Sequence, residues 1–355
     1  MLLYFCALLM FPMQDGKEVM LAKHWNLENG QARFLKHRNR NCIIMNGGVA
    51  LLNDVEMTHG EVEMEVYTSG QTAFPGILFR AQSAKEAEVM YLRLQKSGKP
   101  DAIQYCPRYN SNNAWQLYHG KDYEAKAVFQ PDGWTHVKIR FQGPSLMVYI
   151  DGSLVLNTKR LVQKTRPGSI GISGRFGVAF TNVKWRELEA GPVKQQQQTA
   201  KTGALRNWTL SPVFKQEGHQ PTYPEAMMKN ADAWLQVVAS PHGLLHVDRY
   251  RQREPRGKST VIARTVIQSK EDRSVQLNFG YSDNATFFLN GTPIYTGKNG
   301  FRSRAPGYLG LVDPQNESIY LPLKQGANEL VVVVDEVFGG WGLYAVMEQT
   351  KGLIF

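Results

Sequence analysis

The chain has 355 residues, 43% hydrophobic and 20% charged, which fits two folded domains with full cores and excludes a disordered polypeptide. Lysine and arginine outnumber aspartate and glutamate by 41 to 31, a formal charge of +10 that favours polyanionic partners or an anionic surface. No helix-turn-helix, zinc-finger or RNA-recognition signature accompanies that charge, so nucleic acid is not an expected partner.

In chain order, the apolar run Leu2 to Met13 before Gln14-Asp15-Gly16 reads as a secretory signal over residues 1–16. It is shorter than the roughly 20 residues a membrane-spanning helix needs, and no other transmembrane candidate occurs. It lacks a basic start and a small-x-small cleavage site, so a buried first strand competes with export to a secreted, periplasmic or cell-surface location. The cations Arg33, Lys36, Arg38 and Arg40, and later Arg249, Arg251, Arg253, Arg256 and Lys258, read as solvated faces of strands or loops. Cys42 and Cys106 are either buried thiols or one disulfide.

Short alternating runs between turn signals predict antiparallel strands at Gly60 to Val66, Gly76 to Arg80, Val89 to Leu94, Trp134 to Phe141, Leu146 to Ile150 and Val183 to Leu188. Asp151-Gly152 is a hairpin turn, because both residues tolerate positive φ in a two-residue loop. The stretch from Gly191 (GPVKQQQQTAKTG) has no core-forming residue and reads as a linker over 191–204. Beyond it the strand texture returns at Gly243 to Asp248, Thr260 to Gln268, Ser274 to Tyr281, Ala285 to Leu289, Ile319 to Leu323, Glu329 to Asp335 and Trp341 to Met347, with Tyr223 to Lys229 at most a turn of helix. The fold class is therefore all-β, with two β-sandwich (jelly-roll) domains in tandem, 17–190 and 205–355.

The residues best suited to hold a ligand lie between Phe74 and Trp115. Strand alternation places aromatic rings beside hydrogen-bonding cations there. A pyranose has an apolar face that stacks on Trp or Tyr and a hydroxyl edge that Arg, Asn and Gln satisfy. Arg80, Tyr91, Arg93, Gln104, Tyr105, Arg108 and Trp115 are the expected lining, with Asn110, Asn112 and Asn113 on the adjoining loop. The competing reading is a mixture of core rings and surface hydrogen bonds.

Glu61, Glu63 and Glu65 share one strand face, with neighbouring Cα atoms about 6.6 Å apart. Paired carboxylates are glycosidase chemistry, so these three are the catalytic candidates; solvent-facing glutamates that protect an edge are the plainer alternative. Gly339-Gly340-Trp341-Gly342 suggests a second sugar platform at Trp341, since flanking glycines allow close approach to the ring. His242, His246 and Asp248 would suit a metal only if helical; in an extended run the histidines stand about 13 Å apart, so no metal is expected. Gly257-Lys258-Ser259-Thr260 lacks the first glycine of a phosphate-binding loop. No cofactor is expected, and a structural calcium cannot be read from the sequence.

Residues from about Trp25 to Glu189 resemble the concanavalin A-like lectin/glucanase (laminin G-like) jelly roll in its 3-keto-disaccharide hydrolase-like version. The resemblance rests on GEVEMEV from Gly60, FPGILFR from Phe74, Tyr91 to Arg93, Gln104-Tyr105, GWTHVKI from Gly133, VYIDG from Val148 and the closing strand Phe180 to Leu188. Residues from about Leu205 to Met347 resemble a galactose-binding-like jelly roll at Ser282 to Ala285, Phe288 to Gly291 and Lys324 to Leu330. These matches imply fold more than contacts, since many fall at turns. The leading expectation is an exported protein that binds a carbohydrate, including an anionic polysaccharide, through the first domain. A glycoside hydrolase using the carboxylates of that domain, and an adhesive laminin G-like module binding another protein, are the alternatives.

Overall fold

The computed structural model describes residues 20–28, 31–68, 72–191, 199–215, 222–229 and 232–355. The expected signal segment and residues 192–198 of the expected linker lie outside the described residues. The protein is nearly all β, as its alternating runs predict. It divides into two compact units, the first built from Met1–Pro107 and Gly120–Gln196, the second from Arg108–His119 and Gln197–Phe355.

The first unit carries β1 (Trp25–Glu28), β2 (Ala32–His37), β3 (Arg40–Met45), β4 (Val49–Leu52), β5 (Gly60–Thr68), β6 (Gly76–Ser83), β7 (Glu86–Leu92), most of β8 (Ile103–Tyr109), β10 (Glu124–Ala125), β11 (Gly133–Gln142), β12 (Ser145–Ile150), β13 (Ser153–Thr158), β14 (Ser169–Ser173) and β15 (Val178–Glu187), while the end of β8 and β9 (Asn112–Asn113) fall in the segment assigned to the second. They form an eight-stranded sheet in the order β1-β4-β14-β6-β7-β8-β10, with β9 on β8, and a seven-stranded sheet in the order β13-β12-β11-β5-β15-β3-β2. Both sheets contribute to one core. Ile77, Phe79, Met90, Leu92, Ile103 and Ile172 come from the first sheet, and Val62, Met64, Val66, Val137, Ile139 and Phe141 from the second.

Period-two patterning explains this closure. In β11 the buried Val137, Ile139 and Phe141 alternate with half-buried His136, Lys138 and Arg140, so one face meets hydrocarbon and the other water. The β12–β13 turn has φ of 46° at Asp151 and 79° at Gly152, the positive values the Asp-Gly pair predicts.

The second unit carries β16 (Asn207–Leu210), a short helix α1 (Glu225–Met228), β17 (Leu235–Val238), β18 (Leu244–His246), β19 (Ser259–Ser269), β20 (Arg273–Ser282), β21 (Asn284–Leu289), β22 (Thr292–Lys298), β23 (Glu317–Leu323), β24 (Gly326–Glu336), β25 (Gly342–Met347) and β26 (Leu353–Ile354). One sheet runs β17-β16-β19-β24-β21-β22 with β26 on β19, and the other β18-β25-β20-β23. Trp208, Phe279, Phe287, Val332 and Trp341 lie in the core they enclose. On the outer side of the larger sheet, Tyr223, Met227 and Met228 around α1 cover Ile262, Phe288 and Val331.

Gly203, near the end of the expected linker, is a packed element of this unit. Its φ is +83°, and an added Cβ would lie 1.9 Å from the Met347 carbonyl oxygen. The Met347 amide donates to the Gly203 carbonyl at 2.7 Å. Gly203→Ala is therefore expected to lower unfolding stability by about 2 kcal/mol or more. Gly152→Ala, at φ +79° with open space around the added carbon, should cost only about 1 kcal/mol. Urea denaturation of both variants checks this; equal losses would show that the close approach at Gly203 does not matter.

Candidate functional site

The expected lining residues separate into groups. Tyr91, Arg93 and Gln104 come together on the side of the eight-stranded sheet turned away from the core, because Met90, Leu92 and Ile103 occupy the core side. Arg93 Nη2 donates to the Tyr91 hydroxyl at 2.7 Å, and both Arg93 and Tyr91 donate to Gln104 Oε1. Arg93 Nη1 also donates to the Asp101 carbonyl at 2.7 Å and lies 3.4 Å from Glu124 Oε1. All three residues are buried, and burial pushes the Tyr91 phenol well above its usual range. They form an internal polar network, which corrects the expectation that they line an open groove.

Arg80 and Tyr105 lie on the opposite side. A β-bulge between Phe79 and Ser83 breaks the alternation of β6, and Arg80 itself has a φ of 49°. The bulge turns its side chain inward, over the core ring of Phe141 at 5.3 Å. Its Nε donates to the Thr58 carbonyl and its Nη2 to the Gly143 carbonyl, each at 2.8 Å. Tyr105 adjoins Gln104 in one strand and so must point the other way; its hydroxyl donates to Glu88 Oε2 at 2.5 Å and accepts from the Val162 amide at 2.8 Å. Glu88 Oε1 accepts from the Gln163 amide at 3.1 Å. Burial raises the Glu88 carboxyl to about 7, although the Tyr105 hydroxyl and the Arg80 charge pull it back. Sequence reasoning missed this acid; its parity with Met90 and Leu92 was the available signal.

The three candidate catalytic glutamates do share a face, the outer face of the seven-stranded sheet, but each lies against a basic side chain from another strand of that sheet. Glu61, 4% exposed, is held by Arg186 at 2.5 Å and Arg140 at 3.6 Å. Glu63 lies 3.4 Å from His136, and Glu65 2.5 Å from Arg40. Burial would raise the Glu65 carboxyl, but its hydrogen bonds from Arg40 and Asn182 outweigh that and hold it below the usual range. The pairing is cross-strand ion pairing.

Arg108 and Trp115 fall in the second unit. Arg108 donates to Asn113 Oδ1 at 2.8 Å, while Asn110 donates to the Asp248 carbonyl at 2.7 Å and Asn112 to Asp248 Oδ1 at 3.3 Å. Trp115 meets Phe301 edge-on at 5.8 Å. Trp341 is fully buried in the second core and cannot serve as a sugar platform. The glycines before it accommodate the chain itself: a Cβ on Gly339 would lie 1.6 Å from Gln116 Oε1, and one on Gly340 2.8 Å from the Leu117 side chain.

Two of the later arginines are internal clamps, which corrects the solvated-face reading. Arg251 donates to the carbonyls of Ser211 and Leu210 at 2.8 and 2.9 Å. Arg253 grips both oxygens of Asp248, at 2.7 and 2.6 Å, and reaches Glu336 at 3.1 Å. Asp248 is thus committed to Arg253, and no three metal-ligating side chains gather among the described residues. Cys42 and Cys106 are buried thiols.

One surface group was not anticipated. On the outer face of the seven-stranded sheet, Trp134 pairs with Tyr67 in register, and His37 joins them from the edge strand β2. Tyr67 stands 5.3 Å from Trp134 and 4.7 Å from His37, both edge-on. Arg40 lies over Trp134 at 4.9 Å and Arg38 over Tyr67 at 5.5 Å. The Tyr67 hydroxyl donates to Asp132 Oδ1 at 2.5 Å, a bond that raises the phenol. Trp134 and His37 are half-buried, while Arg38 and Asp132 are exposed. The signal was parity: Tyr67 continues the alternation of Glu61, Glu63 and Glu65.

Two antiparallel sheets closed over one core, with a polar outer face bearing aromatic rings, make the first unit a β-sandwich. The chain belongs to the 3-keto-alpha-glucoside-1,2-lyase-like domain family, whose model matches residues 12–189. It is similar to the carbohydrate-binding module CBM66 of Bacillus subtilis, at 18% identity over 46% of this chain and 95% of that one with a TM-score of 0.36. A putative glycosyl hydrolase of Parabacteroides distasonis is 13% identical over 47% and 89%, TM-score 0.34. The galectin LEC-6 of Caenorhabditis elegans is 12% identical over 45% and 99%, TM-score 0.29. No curated protein matches the chain.

The Glu88 environment has a pH signature. Because its folded pKa lies near 7, above the ordinary value of 4.5, the folded state holds a proton that the unfolded chain releases. The Glu88 contribution to stability is then fully present below about pH 4.5 and is lost as pH rises through 7, by about 3 kcal/mol in all. Glu88→Gln should flatten this part of the stability profile. Urea titrations from pH 4.5 to 8 in which both proteins change in parallel would exclude Glu88 as the source.

Proposed function

We propose that the protein recognises saccharides, and that its first unit holds them at the corner formed by Trp134, Tyr67 and His37. The carrying observation is that this ring cluster, flanked by Arg38, Arg40 and Asp132, lies on the outer face of the family-matched sandwich. A half-buried indole beside guanidinium and carboxylate groups supplies what a pyranose requires, a stacking surface and charged hydrogen-bonding partners at its rim. The rings brace one another edge-on, so little side-chain freedom is lost on binding. The names of the similar structures, a carbohydrate-binding module and a galectin, agree in kind with this reading. Export, and a galactose-binding-like second unit, belong to the same proposal.

Cleavage of a glycoside is the second reading, favoured by the lyase-like description of the family. Glu61, Glu63 and Glu65 are its carboxylates; Glu61 and Glu65 would have to act from within ion pairs with arginines and Glu63 beside His136. Turnover of an oligosaccharide that disappears in Glu63→Gln would support it.

Trp134→Ala should weaken binding of the best glycan-array ligand at least about tenfold while leaving the fold intact, since removing an aromatic anchor typically costs that much. Tyr67→Phe, which removes only the bond to Asp132, should have a smaller effect. Unchanged array signals in a folded Trp134→Ala protein would sink the assignment of this corner.

A further inference from the structure

Val337 and Phe338 are adjacent, 60% and 54% exposed, and sit in the loop between β24 and β25 of the second unit. Large apolar side chains displayed side by side on a loop call for an explanation. The loop is fastened: the amides of both residues donate to Asp283 Oδ2 at 2.8 and 3.2 Å, and the Gly340 amide donates to Gln116 Oε1 at 3.0 Å. The neighbouring loop is tied to the same aspartate, whose carbonyl accepts from the Asn299 amide at 2.6 Å. These bonds present three rings from three separate segments. Phe301 and Phe338 are 5.6 Å apart, and Trp115 lies 5.8 Å from the first and 6.1 Å from the second.

Charge narrows the ligand. Arg302 is exposed and lies 4.9 Å over Phe301, and its guanidinium has no hydrogen bond or ion pair among the described residues. Arg304, two residues on, is by contrast held by Glu317 at 2.7 Å. The Asp283 carboxylate is buried and committed to loop amides, so it does not neutralise Arg302.

We propose that this ring cluster is a second binding platform, separate from the Trp134 corner, and that it takes an acidic saccharide. The apolar face of a pyranose stacks on Phe338, and the carboxylate of a uronic acid pairs with Arg302. An aromatic ring alone would accept a neutral sugar equally well; the unneutralised cation beside it selects the acidic one. The fastened loops supply the preorganisation that a small ligand needs.

The test is calorimetric titration of the full chain with a galacturonate tetramer and with its neutral galactose counterpart. The tetramer is expected to bind at least tenfold more tightly than the neutral sugar in low salt, with the preference shrinking as salt is added. Phe338→Ala should lose about tenfold for the acidic ligand, and Arg302→Gln should abolish the preference for it. Both side chains are exposed, so both variants should fold, and circular dichroism verifies that. The losses in Phe338→Ala and Arg302→Gln should persist in a Trp134→Ala background, where the first-unit corner no longer contributes to the titration, which separates the platform from the first-unit reading. In the Trp134→Ala background, absence of uronate binding, equal affinity for the two sugars, or uronate binding that survives Phe338→Ala and Arg302→Gln would each overturn the proposal.

Discussion

Alternation along antiparallel strands is the constraint on which the first unit depends. Each strand of the two sheets must send every second side chain into a shared core, so a residue's parity decides whether it meets hydrocarbon or the opposite side of its sheet. Val62, Met64 and Val66 close the core while Glu61, Glu63, Glu65 and Tyr67 go to the outer face of the same strand. The carboxylate ladder and the aromatic corner are thus one consequence of one pattern. Cross-strand register then puts Arg140, His136 and Trp134 opposite Glu61, Glu65 and Tyr67 in turn.

The charged groups that do enter the interior are met mostly by hydrogen bonds, although Arg80 Nη1 and Glu336 Oε2 are buried without one. Arg80 reaches two backbone carbonyls, and Glu88 is met by a phenol and a backbone amide. Such groups are costly to bury unless hydrogen-bonded, and their partners tie distant chain segments together. Tyr105, for instance, links the strand holding Glu88 to the backbone at Val162. In the second unit Arg253 performs the same task between Asp248 and Glu336. Residue types that suggest binding chemistry in isolation here serve as internal fasteners.

What the interior did not consume is left at the surface. In the first unit that is the ring corner with Arg38, Arg40 and Asp132, and in the second the three rings with Arg302. Both combine packed rings with cations beside them, edge-on throughout in the first and mostly tilted in the second. The first of these lies within the residues that match the family, while the chemistry of each site rests on its own side chains.

The alternating apolar runs, the Asp151-Gly152 turn and the scarcity of helical periodicity determined the all-β class from the chain alone, because these signals are local and their physics acts within a few residues. Parity also sufficed to group Glu61, Glu63 and Glu65. Tertiary structure decided the rest. The bulge after Phe79 reversed the direction of Arg80, and nothing near that residue announces a bulge. Whether the outer face of a sheet is covered is likewise non-local, so Tyr91, Arg93 and Gln104 looked accessible and are buried. Trp115, Phe301 and Phe338 are separated by more than a hundred residues of chain at the first interval, and only folding brings their rings within stacking distance.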